Sequence, residues 1–212
     1  MRSITKTIVI AASTIALCFG LTACGGGQST SSDNSSSNNR AASSEKTAPT
    51  TQEESKAVDF YMFKGEMPEG YGLAGPNGNN SPLNIVEFRN IENPDKIVDV
   101  EIDEGTAQEQ FDKAAAKDKY TAGDDVKLGK YTWKTLNFTW NKQPSVVLYT
   151  DIAEGLYAEV TLYETTLDDA DIKAFLEGVE FATDYDAAHK AGMDATVEKF
   201  AADNSLTLWE AK

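Results

Sequence analysis

The chain is poor in the residues that most often carry chemistry. Of 212 residues, two are cysteine (Cys18 and Cys24) and one is histidine, His189. One imidazole cannot build a histidine-rich zinc site, and a Ser-His triad needs a placed nucleophile that no motif supplies. His189 therefore reads as a surface or satisfied side chain. Basic residues are also scarce, 19 Lys and Arg against 34 Asp and Glu, a formal net charge of −15. Such a surface repels phosphates and gains nothing from counterion release, which excludes nucleic acid as a partner. It favours basic proteins or cations, or simply keeps a domain soluble. No glycine-rich phosphate loop follows a strand, and no repeat of 20–50 residues is present. No catalytic residue, metal ligand set or cofactor is expected.

A long apolar run occurs only once, at the N-terminus. Arg2 and Lys6 precede Ile8 to Leu21, IVIAASTIALCFGL. As a helix this run rises about 21 Å, short of the roughly 30 Å hydrocarbon core, which suits a cleaved signal better than a permanent span. It ends in Leu21-Thr22-Ala23-Cys24, followed by three glycines. Small residues before the cysteine admit an extended backbone to a narrow peptidase site, and the thiol supplies a nucleophile for lipidation. This segment resembles the lipobox of bacterial lipoproteins. The resemblance implies signal-peptidase recognition through Leu21, Thr22 and Ala23, cleavage after residue 23, and a diacylglyceryl, palmitate-type anchor on Cys24. Removing residues 1–23 deletes two basic residues and no acid, leaving 17 basic against 34 acidic side chains, or −17. It also removes Cys18, so the mature chain has no intramolecular disulfide although export permits one.

Residues 24–56 comprise the lipidated cysteine and a Ser/Asn/Thr-rich linker. Positions 25–56 hold no aromatic and no Val, Ile or Leu. Such a stretch cannot offset its ordering entropy by burial and is expected to be disordered. On the random-coil rule it spans about 30 Å. Residues 57–183 are expected to form one domain, with 184–212 a C-terminal helical extension.

Within that domain, Ile85–Phe88 and Ile97–Ile102 flank Asn93-Pro94-Asp95 and read as paired strands. Thr106 with Glu109 is a capping box opening a helix through Lys119, stopped by Gly123-Asp124-Asp125. Strands are expected at 126–140, 145–152 and 156–163. The last puts Leu156, Ala158, Val160 and Leu162 inward, with Tyr157, Glu159, Thr161 and Tyr163 outward. The first changes phase between Tyr131/Trp133 and Leu136/Phe138/Trp140, which requires either a bulge near Lys134-Thr135 or burial of both faces. A second helix follows, capped by Thr166, with Ile172, Phe175, Leu176 and Val179 as its buried stripe. Met193, Val197 and Phe200 suggest one more helix, and Leu206, Leu208 and Trp209 a docked end.

This order predicts an α+β fold, an antiparallel sheet with helices packed on it. Three segments, 67–71 (MPEGY), 126–133 (VKLGKYTW) and 171–181 (DIKAFLEGVEF), together resemble the PsbP-like family over about residues 58–181. That family includes photosystem accessory proteins, a Ran-binding protein and Gram-positive lipoproteins. The resemblance implies a PsbP-like α/β sandwich and a binding or accessory role, and transfers no active-site residue.

Candidate sites are few. Asp99, Glu101 and Asp103 resemble the start of a calcium loop, but from Asp99 the glycine falls seventh and position twelve is Gln110. They read instead as the wet face of a strand. Asp168, Asp169 and Asp171 read as acids at a helix start. Tyr131, Trp133, Tyr157 and Tyr163 are candidate ligand-surface aromatics if helices cover only one sheet face, and core residues otherwise.

The expected function is a membrane-anchored, extracytoplasmic, non-enzymatic binding or accessory module, on the cell membrane of a Gram-positive bacterium. Its partners are the lipid membrane, through acylated Cys24, and an envelope protein, glycan or small ligand. Alternatives are an envelope hydrolase using paired carboxylates and a purely structural surface protein. Cys24→Ala is expected to abolish lipidation and shift the protein from the detergent phase to the aqueous phase. Mass spectrometry of the wild type should show residues 1–23 removed and acyl mass on Cys24; an unmodified Cys24 would overturn the lipobox assignment.

Overall fold

The computed structural model describes residues 57–210. The targeting segment with Leu21, Thr22, Ala23 and Cys24, and the linker, lie outside the described residues. In chain order the elements are β1 (Val58–Asp59), β2 (Phe63–Gly65), β3 (Tyr71–Ala74), β4 (Val86–Asn90) and β5 (Ile97–Glu104). Then come α1 (Ala107–Ala115), β6 (Thr121–Ala122), β7 (Val126–Leu128), β8 (Tyr131–Trp140), β9 (Gln143–Ala153) and β10 (Leu156–Tyr163). The chain continues through α2 (Ala170–Gly178), β11 (Glu180–Phe181), α3 (Tyr185–Asp194) and α4 (Val197–Asn204). The fold is α+β. An antiparallel sheet runs β3-β4-β5-β10-β9-β8-β6, with β7 paired to β8, and a small second sheet runs β1-β2-β11.

Both faces of the large sheet are covered. Val98, Val100 and Ile102 of β5, Val146 and Leu148 of β9, and Ala158, Val160 and Leu162 of β10 face the main core. Ile172, Phe175 and Leu176 of α2, Ala188 of α3, and Val197 and Phe200 of α4 close that core. A second cluster lies on the opposite face, where Ala107 and Ala114 of α1 meet Leu136, Phe138, Val147, Tyr149 and Tyr157. The apparent phase change in β8 is therefore not a bulge. Its pairing with β9 runs without a shift from Lys134↔Tyr149 to Trp140↔Gln143, and large residues simply occupy both faces.

Several expected boundaries move. Residues 126–140 are not one strand but a hairpin, Leu128 pairing with Tyr131 across Gly129-Lys130. Gly129 takes φ +56°, which a two-residue turn with glycine first accommodates. Thr106 caps α1 as expected, its side chain accepting from Glu109 N at 3.2 Å. The helix ends at Ala115, not Lys119, because turns at Lys117 and Tyr120 bring the Tyr120 ring onto Phe138, 5.4 Å between centroids. The cap of α2 is Asp169 rather than Thr166, its carboxylate accepting from Asp171 N and Ile172 N. The single helix expected around 193–200 is two, α3 and α4, separated at Ala195-Thr196, and Met193 is exposed. Thr196 supplies a new cap, its hydroxyl accepting from Lys199 N.

The C-terminal segment is tied into the sheet. Leu73 N donates to Thr207 O and Trp209 N to Leu73 O, both at 2.8 Å, which extends the β3 edge. Residues 185–210 thus contribute to the same core as the preceding strands.

α2 is where two distant segments meet, β2 and the β7–β8 hairpin. Phe63 of β2 packs edge-on against Phe175 at 5.8 Å, and Tyr131 and Trp133 of β8 pack against Phe181 just after the helix. A Cβ on Gly129 would overlap the Glu177 carbonyl of α2, whereas one on Gly178 would meet nothing within 4 Å. Gly129→Ala is expected to destabilise the fold by about 2–3 kcal/mol from backbone strain and lost docking. Gly178→Ala should be neutral or stabilising by up to about 1 kcal/mol. Urea denaturation of both variants checks the pair, and equal midpoints would show that the Gly129 contact does not hold the hairpin to α2.

Candidate functional site

The four candidate aromatics do not share a surface. The alignment Leu136↔Val147↔Thr161 puts even residues of β8 on the same face as odd residues of β10. Tyr131 and Trp133 therefore belong to the main core, and Tyr157 and Tyr163 to the opposite face. Trp133 is fully buried, and the half-buried Tyr131 accepts a hydrogen bond from Phe181 N through its hydroxyl at 3.1 Å. Tyr157 is buried beside Tyr149, and Tyr163 is half-buried between Phe138 and Trp140, 5.9 and 5.2 Å away. The reading of these four as one open ligand surface is corrected: helices on both faces make them packing residues. Trp140, 46% exposed, is the aromatic that reaches solvent here.

The acids of β5 are a second correction. Asp103 is exposed, but Asp99 and Glu101 are half-buried rather than on a wet face. Pairing places Glu87, Asp99 and Thr161 in one row across β4, β5 and β10, and Glu101, Glu159 and Tyr149 in the next across β5, β10 and β9. Arg89 Nε donates to the buried Glu87, and Thr161 Oγ1 donates to Glu159 at 3.2 Å. Asp99 Oδ1 is buried without a hydrogen-bond partner. Desolvation, reinforced by Glu87 and Glu101, pushes Asp99 up to about 7. Desolvation with Glu159 and Asp103 does the same to Glu101, also to about 7. Burial raises Glu159 too, against the opposing pull of Thr161, Tyr149 and Lys117. This ladder can hold and release protons near neutrality.

A concave site lies elsewhere, between α2 and the turn after β2. The cavity holds about 550 Å³. One wall is a single face of α2, with Asp171, Ala174, Phe175 and Gly178 spaced i, i+3, i+4 and i+7. Gly65, Met67 and Pro68 also line it, and Lys64, Glu66, Glu69 and Glu180 stand around it. Its size falls in the range of small-molecule sites, roughly 300–1,000 Å³.

The remaining candidates have structural roles. Asp169 is a helix cap, Asp168 N donates to Thr166 Oγ1, and the His189 ring stacks on Tyr185 at 5.4 Å. Among the described residues, no three His, Cys, Asp or Glu side chains converge as metal ligands. Sequence reasoning missed Glu87 and Glu159 as neighbours of Asp99 and Glu101, and of the four cavity acids it singled out only Asp171, as an acid at a helix start. The alternation did put Glu101 and Glu159 on outward faces, but nothing in it paired β5 with β10.

No protein-family model matches the chain, and no curated protein matches it in sequence. Among solved structures, it is similar to the solution structure of cyanobacterial PsbP (CyanoP) from Synechocystis sp. PCC 6803. That likeness has 16% identity and a TM-score of 0.36, over 60% of this chain and 91% of that one. It is also similar to a crystal structure from Bacteroides thetaiotaomicron VPI-5482, with 11% identity and a TM-score of 0.36, over 61% of this chain. The match spans about half of that protein's length, 48%.

The carboxylate ladder makes stability depend on pH. Folded Asp99 and Glu101 keep their protons to about pH 7, whereas unfolded carboxyls lose them near pH 4. Between those values the folded state binds more protons, so this contribution to stability falls as pH rises from about 4 through 7. Asp99→Asn with Glu101→Gln removes the effect. Between pH 5 and 8 the wild type is expected to lose about 1–3 kcal/mol relative to the double variant. Urea denaturation at the two pH values measures this, and parallel pH dependences would refute it.

Proposed function

We propose that this chain is an exported bacterial lipoprotein, anchored through Cys24 on the extracytoplasmic face of the cell membrane, whose folded part is a non-enzymatic binding or accessory module of PsbP-like type. The observation that carries the anchoring is the charged, then apolar N-terminus ending in Leu21-Thr22-Ala23-Cys24. Acyl chains on that cysteine supply the two hydrophobic signals that stable membrane attachment requires. The linker composition supports a spacer that gives the domain reach.

For the domain, a binding role is favoured by a cavity of ligand size with an apolar floor and a charged surround. A second reading, a hydrolase using paired carboxylates on envelope glycan, draws on the raised Asp99 and Glu101. Against it, those groups lie in neighbouring rows of a sheet beside Glu87 and Glu159, so burial and like charges together raise both instead of separating an acid from a base. Glycosidic cleavage needs one carboxyl protonated and the other ionised on either side of the bond.

The full-length lipoprotein, solubilised with its envelope and captured, is expected to enrich a specific protein, glycan or small ligand over an unrelated lipoprotein with the same anchor. The same material is expected to release no fragments from purified cell-wall glycan. Enrichment of nothing would leave a purely structural surface protein, and glycan release abolished by Asp99→Asn would establish the hydrolase.

A further inference from the structure

The cavity between α2 and the turn after β2 has a charge pattern that selects among ligands. We infer that it binds an alkylammonium group, an organic amine with a short apolar body, carried by a free polyamine or by a lysine side chain of a peptide. This deepens the binding-module reading and rests on it.

Four acidic side chains, Glu66, Glu69, Asp171 and Glu180, stand around the cavity against one lysine, Lys64. They come from separate parts of the chain: the turn after β2, the first turn of α2, and β11. Between them lies an apolar floor of Met67, Pro68, Ala174 and Phe175. An anionic ligand would meet like charge on most sides. A bare metal ion is poorly matched, because the acids are spread around an apolar floor and, among the described residues, no three donors converge. A chain of methylenes ending in an ammonium satisfies both surfaces, its body lying over Met67 and Ala174 and its head reaching the carboxylates.

The space is also left open by the backbone. Gly178 lines the cavity at the end of α2, takes no positive φ, and a Cβ there meets nothing within 4 Å. A side chain can therefore start from this position, which lines the cavity, without straining the helix backbone. That provides a blocking variant whose fold is expected to remain intact.

The test is calorimetric titration of the full-length chain in detergent with 1,5-diaminopentane and with Nα-acetyl-lysine amide. Pentane-1,5-diol and hexanoate serve as neutral and anionic controls. At least one amine is expected to bind, with both controls weaker by about tenfold or more, the scale of one desolvated charge contact. Binding of the diamine alone assigns a free polyamine, and binding of the lysine amide alone assigns a peptide side chain. Gly178→Trp is expected to abolish binding with an unchanged thermal melt. Should that variant unfold, Asp171→Asn with Glu180→Gln serves instead, weakening the amine and leaving the diol unaffected. Failure of both amines, equal binding of the diol, or undiminished binding in a folded blocking variant would overturn the assignment. Amine binding lost while envelope capture persists removes the cavity ligand alone, not the module.

Discussion

The position of β10 between β5 and β9 is the constraint on which the rest of the structure depends. Its even residues, Ala158, Val160 and Leu162, enter the main core, and its odd residues, Tyr157, Glu159 and Thr161, face α1 and the carboxylate rows. Side chains alternate with a period of two, so a slip of one residue would drive Glu159 into the aromatic core. The pairing leaves no such freedom: eight consecutive residues are matched to β5, and β9 holds the other edge. From this register follow the burial of Trp133, the stacking of acids on neighbouring strands and the separation of the four candidate aromatics.

α2 is the second organising element. Its buried stripe of Ile172, Phe175 and Leu176 seals the main core, while an overlapping face carrying Asp171, Ala174 and Gly178 walls the cavity. Phe175 belongs to both, so the floor of the cavity is held by the same packing that closes the core. Gly129 lets the β7–β8 hairpin approach the helix at Glu177, and Phe63 presses on Phe175 from the small sheet. A cavity lining supported this way is held in place by the core.

The two acidic regions differ in physical character. In the β4–β5–β10 rows the carboxyls are desolvated and crowd one another, so burial and like charge lift them towards neutrality. The cavity acids stand around an opening with an apolar floor, an arrangement that suits attraction of a cation more than proton storage. A chain with this much negative charge and no disulfide in its folded part holds together through its core, and the large aromatic cluster of Phe60, Phe63, Phe88, Phe175 and Phe200 supplies much of it.

What the sequence by itself determined is whatever depends on local pattern. The targeting and tether readings rest on composition and a short motif. The α+β class, the β4–β5 pair, the Thr106 cap and the buried stripe of α2 were legible because periodicity and capping act within a few residues. Boundaries were less so. The hairpin at Gly129 read as one strand because both arms are rich in strand formers, and α1 read long because its tail keeps helix-forming lysines and alanines. Only the tertiary structure decided which faces were covered, that Glu101 and Glu159 stand side by side, and that residues near 66, 171 and 180 enclose one cavity. Those facts rest on pairing between strands and helices distant in sequence, and alternation along a strand marks its two faces without saying what lies against either.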